Sequence, residues 1–189
     1  MKALIIISHP DKNSFCYNGI FKEIQKNLEH HAEVKVADLY HESYLRPRTK
    51  LIQKFKDWIT WSTHIYIISP VWWFRCTPRL EVFFDEVFTP GFAYDFKPLT
   101  KTYGVPVPRL KDKKLRTYIT HGAPALPVIT VYLNSVKLRL VMGVYTFVFG
   151  WKPSLFTKTK QFWSVPFATD EKRKKYLQRV KRDVLRDIK

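Results

Sequence analysis

Apolar and polar positions change period along this chain in a way that predicts alternating strands and helices. Residues 3–7 form an unbroken apolar run with three isoleucines in succession, which predicts a buried strand. Over residues 14–30, Phe15, Ile20, Phe21, Ile24 and Leu28 recur at helical spacing. "AEVKVADL" alternates and predicts a second strand. "KLIQKFKDWITWS" predicts an amphipathic helix with Leu51, Ile52, Phe55 and Ile59 on one side. "HIYIIS" reads as a third strand, "PRLEVFFDEVF" as a third helix and "KLRTYIT" as a fourth strand. A helix is expected from about 129 to 142. The segment 145–163 is expected to hold a fifth strand, after the turn-like Gly150 and Pro153. Leu177, Val180, Val184 and Ile188 mark a closing amphipathic helix whose other positions are basic. That apolar stripe reads as core packing.

Strands alternating with helices imply a parallel sheet covered on both faces. Right-handed crossovers make it an open, doubly wound five-stranded α/β domain, one domain over residues 1–189. Ligands of such sheets bind at the carboxyl ends of the strands, near the point where strand order reverses. The loops that matter are therefore those following residues 8, 69 and 120. Lys97 to Lys114, with Pro98, Pro106 and Pro108, reads as the one long loop, a lid or interface arm.

Composition narrows the partners. With 46% hydrophobic and 26% charged residues, the chain is of ordinary globular type. The formal net charge of +17 implies attraction to anions, whether phosphorylated cofactors, nucleic acid or anionic membrane. A nucleic-acid role is disfavoured, because the basic residues lack the regular aromatic interleaving of single-strand binders. Two cysteines, Cys16 and Cys76, without a CxxC argue against a disulfide framework or zinc site and suit a reducing cytoplasm. No metal ligand set is expected. "ALIII" is too short for a signal peptide, and the longest apolar run, "LVMGVYTFVFGW", is too short to span a bilayer.

The three loops carry the candidate chemistry. "SHPDKNSF" leads into a helix with Ser14 as N-cap, where free N–H groups attract anions. Ser14 either only caps, or caps and joins His9 in holding a phosphate. Neither a GxGxxG nor a P-loop pattern is present. "SPVWWF" places Trp72, Trp73 and Phe74 in consecutive turn positions, and three such rings cannot all enter a core. At least one is expected to face a cleft. "THGAP" offers Gly122 and Ala123 for close backbone approach, with Thr120 and His121 as polar groups. His121 is alternatively a plain surface histidine.

"HPDKNSF", "SPVWWFRCTPRLEVFFDEVFTPGFAY" and "THGAP", in that order, resemble the flavodoxin-like NAD(P)H quinone oxidoreductases, DT-diaphorase and its shorter bacterial relatives. The resemblance implies bound FMN or FAD, NAD(P)H as electron donor, a homodimer and two-electron reduction of quinones or similar acceptors. By position it implies that His9, Ser14, Phe15 and Cys16 belong to the phosphate loop. Pro70, Val71, Trp72, Trp73 and Phe74 would line the isoalloxazine, with Trp73 and Phe74 walling the ring. Thr120, His121, Gly122 and Ala123 would form the third flavin loop. Tyr94 and Phe96 would complete the partner subunit's substrate cavity, and Tyr94 and His121 would carry catalytic roles. The chain departs from the family pattern at Cys16, often Asn, and at His121, often Thr. "ALPVITVY" stands where the family has Tyr or His residues that stabilise the reduced flavin, and Tyr132 is the nearest substitute. A rival is a flavoprotein with little turnover, serving as a redox-sensing ancillary subunit of a partner such as a potassium-efflux system.

Overall fold

The computed structural model describes residues 1–189. Five parallel strands form the central sheet: β1 (Lys2–Ile7), β2 (Glu33–Asp38), β3 (His64–Pro70), β6 (Lys114–Thr120) and β7 (Thr159–Phe162). Their order is β2-β1-β3-β6-β7, so the direction of strand addition reverses between β1 and β3. Helix α1 starts as π-helical turns over Phe15–Phe21 and continues as an α-helix over Lys22–Leu28. Helices α2 (Thr49–Trp61) and α3 (Pro78–Val87) follow.

Alternate side chains of β1 enter two different cores, as the pleat requires. Leu4 and Ile6 pack with Phe55, Ile59, Leu80 and Phe83 of α2 and α3. Ala3, Ile5 and Ile7 pack on the other face with Ile20, Ile24, Val180 and Val184. Each fully buried Ile or Phe contributes about 1.5–3 kcal/mol, which holds the strand ends in fixed positions.

Two expectations are corrected. Residues 97–114 are not one long loop: β4 (Tyr94–Pro98) and β5 (Gly104–Pro108) pair as an antiparallel hairpin outside the main sheet. Its prolines, which have no N–H to donate and suit isolated or edge strands, masked the alternation. The helix expected at 129–142 is two helices, α4 (Ala125–Thr130) and α5, which runs from Ser135 through Phe149 with π-helical turns at Arg139–Tyr145. They break where Leu133 and Asn134 take φ near +50°. The expected fifth strand does lie within 145–163 and after Gly150 and Pro153, at the end of that segment behind the short helix α6 (Ser154–Lys158). No helix is long and apolar enough to cross a membrane.

The last helix, α7 (Asp170–Ile188), is capped by Thr169, whose hydroxyl accepts from the Lys172 N–H. Its far end is fixed by charge. Arg116 on β6 donates to both Asp187 oxygens at 2.6 and 2.7 Å and lies 3.3 Å from Asp183. All three side chains are nearly inaccessible. Tyr66 adds a hydroxyl donor to Asp187 at 3.3 Å. This latch sets the register of α7 and thereby positions its first two turns at the carboxyl edge of the sheet.

Candidate functional site

The carboxyl ends of β1, β3 and β6 open onto a cleft of about 660 Å³. All three loops singled out from the sequence reach it: His9, Ser14, Phe15 and Cys16 from the first, Pro70, Val71 and Trp72 from the second, Thr120, His121 and Gly122 from the third. Buried hydrogen bonds tie the loops together. The Ser8 and Thr77 hydroxyls bond to each other, and the Cys16 thiol lies 3.4 Å from the Thr120 hydroxyl. Burial pushes the Cys16 thiol up to about 12, so it is a neutral packing group in the cleft floor.

Each loop leaves backbone donors free. Ser14 caps α1 by accepting from the Tyr17 N–H, while the N–H groups of Phe15 and Cys16 have no acceptor in the chain. They form the positive end of a helix dipole aimed at the cleft, suited to an anion. His9 accepts from the Asp11 N–H through Nδ1, which leaves its Nε2 as the donor. The ring meets Trp72 edge-on at 6.0 Å. The Gly122 and Ala123 N–H groups are also unpaired. A Cβ on Gly122 would meet nothing within 4 Å, so the cleft runs up to the Gly122 backbone.

The aromatic loop differs from expectation. Of its three rings only Trp72 lines the cleft. Trp73 is 90% exposed, and Phe74 stacks on Tyr132 with centroids 4.3 Å apart. The reason is a two-residue turn closed by Trp72 N–H to Arg75 O (2.9 Å) and Arg75 N–H to Trp72 O (3.1 Å). Its central residues, Trp73 and Phe74, both have positive φ, 49° and 58°. That turn geometry favours Asn-Gly, and a left-handed bulky residue costs roughly 1–2 kcal/mol. Relieving it is expected to stabilise the fold. Trp73→Gly should raise the melting temperature by about 1–4 °C, after allowance for glycine's larger unfolded-state entropy. A lower melting temperature would show that the Trp73 ring packs on something.

His121 is buried, stacked on Trp163 at 4.2 Å, and its Nε2 lies 3.0 Å from the Gln161 amide nitrogen. Burial alone lowers its pKa to about 4, so the ring is neutral near pH 7. An unfolded histidine titrates near 6.5. Between pH 6.5 and 4 the unfolded chain binds a proton that the folded chain refuses, so stability falls as pH falls through that window. The loss from His121 alone should reach on the order of 3 kcal/mol by pH 4. Urea midpoints across this range should slope less for His121→Gln than for the wild-type chain. Parallel slopes would show that His121 titrates as an exposed histidine.

Ala123 flanks the cleft without lining it. Tyr94 and Phe96 are on the β4–β5 hairpin and do not reach the cleft of their own chain. Tyr94 instead lines a second depression of about 420 Å³ with Phe84, Phe88, Val144 and Phe147, and with Asp85 and Arg139 as its charged residues. Tyr132 is half-exposed beside Phe74 and also outside the cleft. Sequence reasoning missed Asp170, Arg173, Lys174 and Leu177 of α7, which line the cleft beside Val165 and Pro166; Asp11 and Asn13 of the first loop and Asn18 of α1 line it too. The run "EKRKK" was the available signal; an α/β sheet that ends in a helix brings the start of that helix to the ligand edge.

The sheet order β2-β1-β3-β6-β7, with a cleft where strand order reverses, is the flavodoxin-like arrangement. The chain belongs to the flavodoxin-like fold family, whose model matches residues 1–130. It is 30% identical over 124 residues to the uncharacterized NAD(P)H oxidoreductase YdeQ of Bacillus subtilis. That match covers 66% of this chain and 56% of YdeQ, so the chain spans little more than half of its relative. Among solved structures, Smu.1420 of Streptococcus mutans superposes with a TM-score of 0.79 at 25% identity, covering 97% of this chain and 98% of that one. A quinone reductase of Klebsiella pneumoniae, so described provisionally, gives 0.77 at 15% identity, with 97% and 83% covered. An FMN-dependent NADH-azoreductase of Bacillus anthracis, solved with FMN, gives 0.73 at 14% identity over the full length of both chains. At such identities the last two likenesses concern the fold.

Proposed function

We propose that the protein is a flavin-dependent NAD(P)H oxidoreductase that reduces quinones or related flat acceptors by two electrons. The observation that carries this reading is the convergence of all three loops, with their unpaired N–H groups, on one cleft. The donor set suits FMN or FAD. Ser14, His9 Nε2, the Phe15 and Cys16 N–H groups and the Arg173–Lys174 pair would hold phosphate at one end. Trp72, Val71, Gly122 and His121 would border the ring system. A bound flavin supplies the hydride chemistry, and the protein supplies binding, orientation and electrostatics. Trp72 and Pro70 would shield one side of a bound ring from water. Neutral His121 contributes a hydrogen-bond donor rather than a charge. Purified protein supplied with flavin should consume NADH or NADPH when a simple quinone is added, and no consumption with any flavin would refute the activity.

One observation favours the rival of a low-turnover flavoprotein. Tyr132, the candidate for the Tyr/His role after "THGAP", packs on Phe74 outside the cleft. Tight flavin binding without quinone-dependent turnover would select that rival.

Homodimerisation belongs to the same proposal. Tyr94 packs edge-on with Phe96 and Phe147, and Phe96, Phe147 and Met142 are exposed apolar side chains. A two-fold partner would cover this surface and bring Tyr94 and Phe96 toward its own cleft. Phe147→Asp should convert a dimer to a monomer at micromolar concentration, read by sedimentation velocity. A wild-type chain that sediments as a monomer would remove the dimer from the proposal.

A further inference from the structure

Asn134, Gln161, His121 and Trp163 form a polar relay behind the cleft. The Gln161 side-chain nitrogen lies 2.9 Å from Asn134 Oδ1 and 3.0 Å from His121 Nε2. An amide nitrogen has two hydrogens and no lone pair to offer. With the Gln161 and Asn134 amides oriented as they are, one hydrogen goes to Asn134 and the other to His121, which makes Nε2 the unprotonated acceptor. The proton of neutral His121 is then on Nδ1. That atom has no acceptor in the protein, and His121 lines the cleft. Trp163, stacked on the ring at an interplanar angle of 28°, prevents it from turning over. Asn134 takes φ of 51° at the break between α4 and α5, a left-handed position that asparagine tolerates better than most residues. The break is what brings Asn134 Oδ1 back to Gln161.

We propose that Gln161 is a positioning residue that sets the tautomer of His121, so that its Nδ1–H is presented to the cleft as a fixed donor for an acceptor edge of the ligand. Resting on the flavin reading, this assigns the donor to the carbonyl- and nitrogen-bearing edge of the isoalloxazine. The device differs from a titrating histidine: the donor stays in place across the neutral pH range because the ring does not gain a second proton.

The test uses histidine labelled with ¹⁵N in flavin-free protein. Long-range ¹H–¹⁵N spectra should show His121 with a pyridine-like Nε2 and a pyrrole-like Nδ1. Gln161→Glu offers an acceptor in place of the donor and should move the proton to Nε2, weakening FMN binding about tenfold through loss of one buried hydrogen bond. Asn134→Ala frees the Gln161 amide to rotate and should give a mixture of tautomers, a check that survives should the glutamate variant misfold. A wild-type ring already protonated at Nε2, or a Gln161→Glu ring unchanged from wild type, overturns the relay. The expected tautomers in a wild-type chain that takes up no FMN would sink the flavin reading alone. FMN binding with the opposite tautomer would sink the relay alone.

Discussion

Arg116→Ala is expected to cost about 3–5 kcal/mol of folding stability, because it strands two carboxylates that burial has removed from water. Asp183 and Asp187 have side-chain exposures of 7% and 8%, so solvent replaces the guanidinium poorly, and Lys158, 4.0 Å from Asp187, remains as a weaker partner. The urea midpoint should fall accordingly, and the melting temperature by about 10 °C or more for a chain of this size. Removing both the cation and the anions tells packing from pairing. A chain with Arg116→Met, Asp183→Leu and Asp187→Leu should recover most of the loss, since well-packed apolar groups often equal a buried ion pair. A loss below about 1 kcal/mol for Arg116→Ala would mean that α7 is held by Val180 and Val184 alone. The variant also reports on the site, because the helix it loosens carries Arg173 and Lys174.

Gly122→Leu is expected to leave the fold intact and to weaken flavin binding on the order of a hundredfold or more, about 2.7 kcal/mol. No atom lies within 4 Å of the position its Cβ would take, and its φ is not in the left-handed region, so nothing in the protein resists the side chain. Gly122 lines the cleft, so a leucine there is expected to take up ligand space. Gly122→Ala should show a smaller loss in the same direction. Circular dichroism and the melting temperature should match wild type in both. Unchanged flavin affinity in the leucine variant would show that the ligand does not approach the third loop.

What the sequence disclosed and what it concealed follow from the range of the interactions involved. The apolar runs of β1, β3 and β6 were legible because a strand buried on both faces needs no partner to declare itself. The three loops were legible because parallel α/β sheets place ligands at strand ends, and those ends could be counted. The hairpin β4–β5 was not, since Pro98, Pro106 and Pro108 erase the donors and the alternation that mark a strand. Nor was the fate of Trp73 and Phe74, where two positive φ angles turn the rings away from the cleft against local preference. The Arg116–Asp187 latch joins positions 71 residues apart, and the Gln161–His121 relay joins positions 40 apart. Neither leaves a local pattern. Arg173 and Lys174 lay in a basic run that reads as a solvated face until the sheet order places the start of α7 against Ser14 and Phe15.

The central claim, that the cleft between residues 9–16, 70–72 and 120–122 holds a flavin, is tested most directly by titrating the flavin-free chain into FMN and into FAD while following flavin fluorescence and absorbance. Saturable binding of one flavin per chain, weakened by Gly122→Leu and by Arg173→Ala but not by a charge-matched Lys181→Ala on the outer face of α7, is the expected result. Absence of saturable binding by either flavin at micromolar protein, from a chain that melts cooperatively, would contradict it.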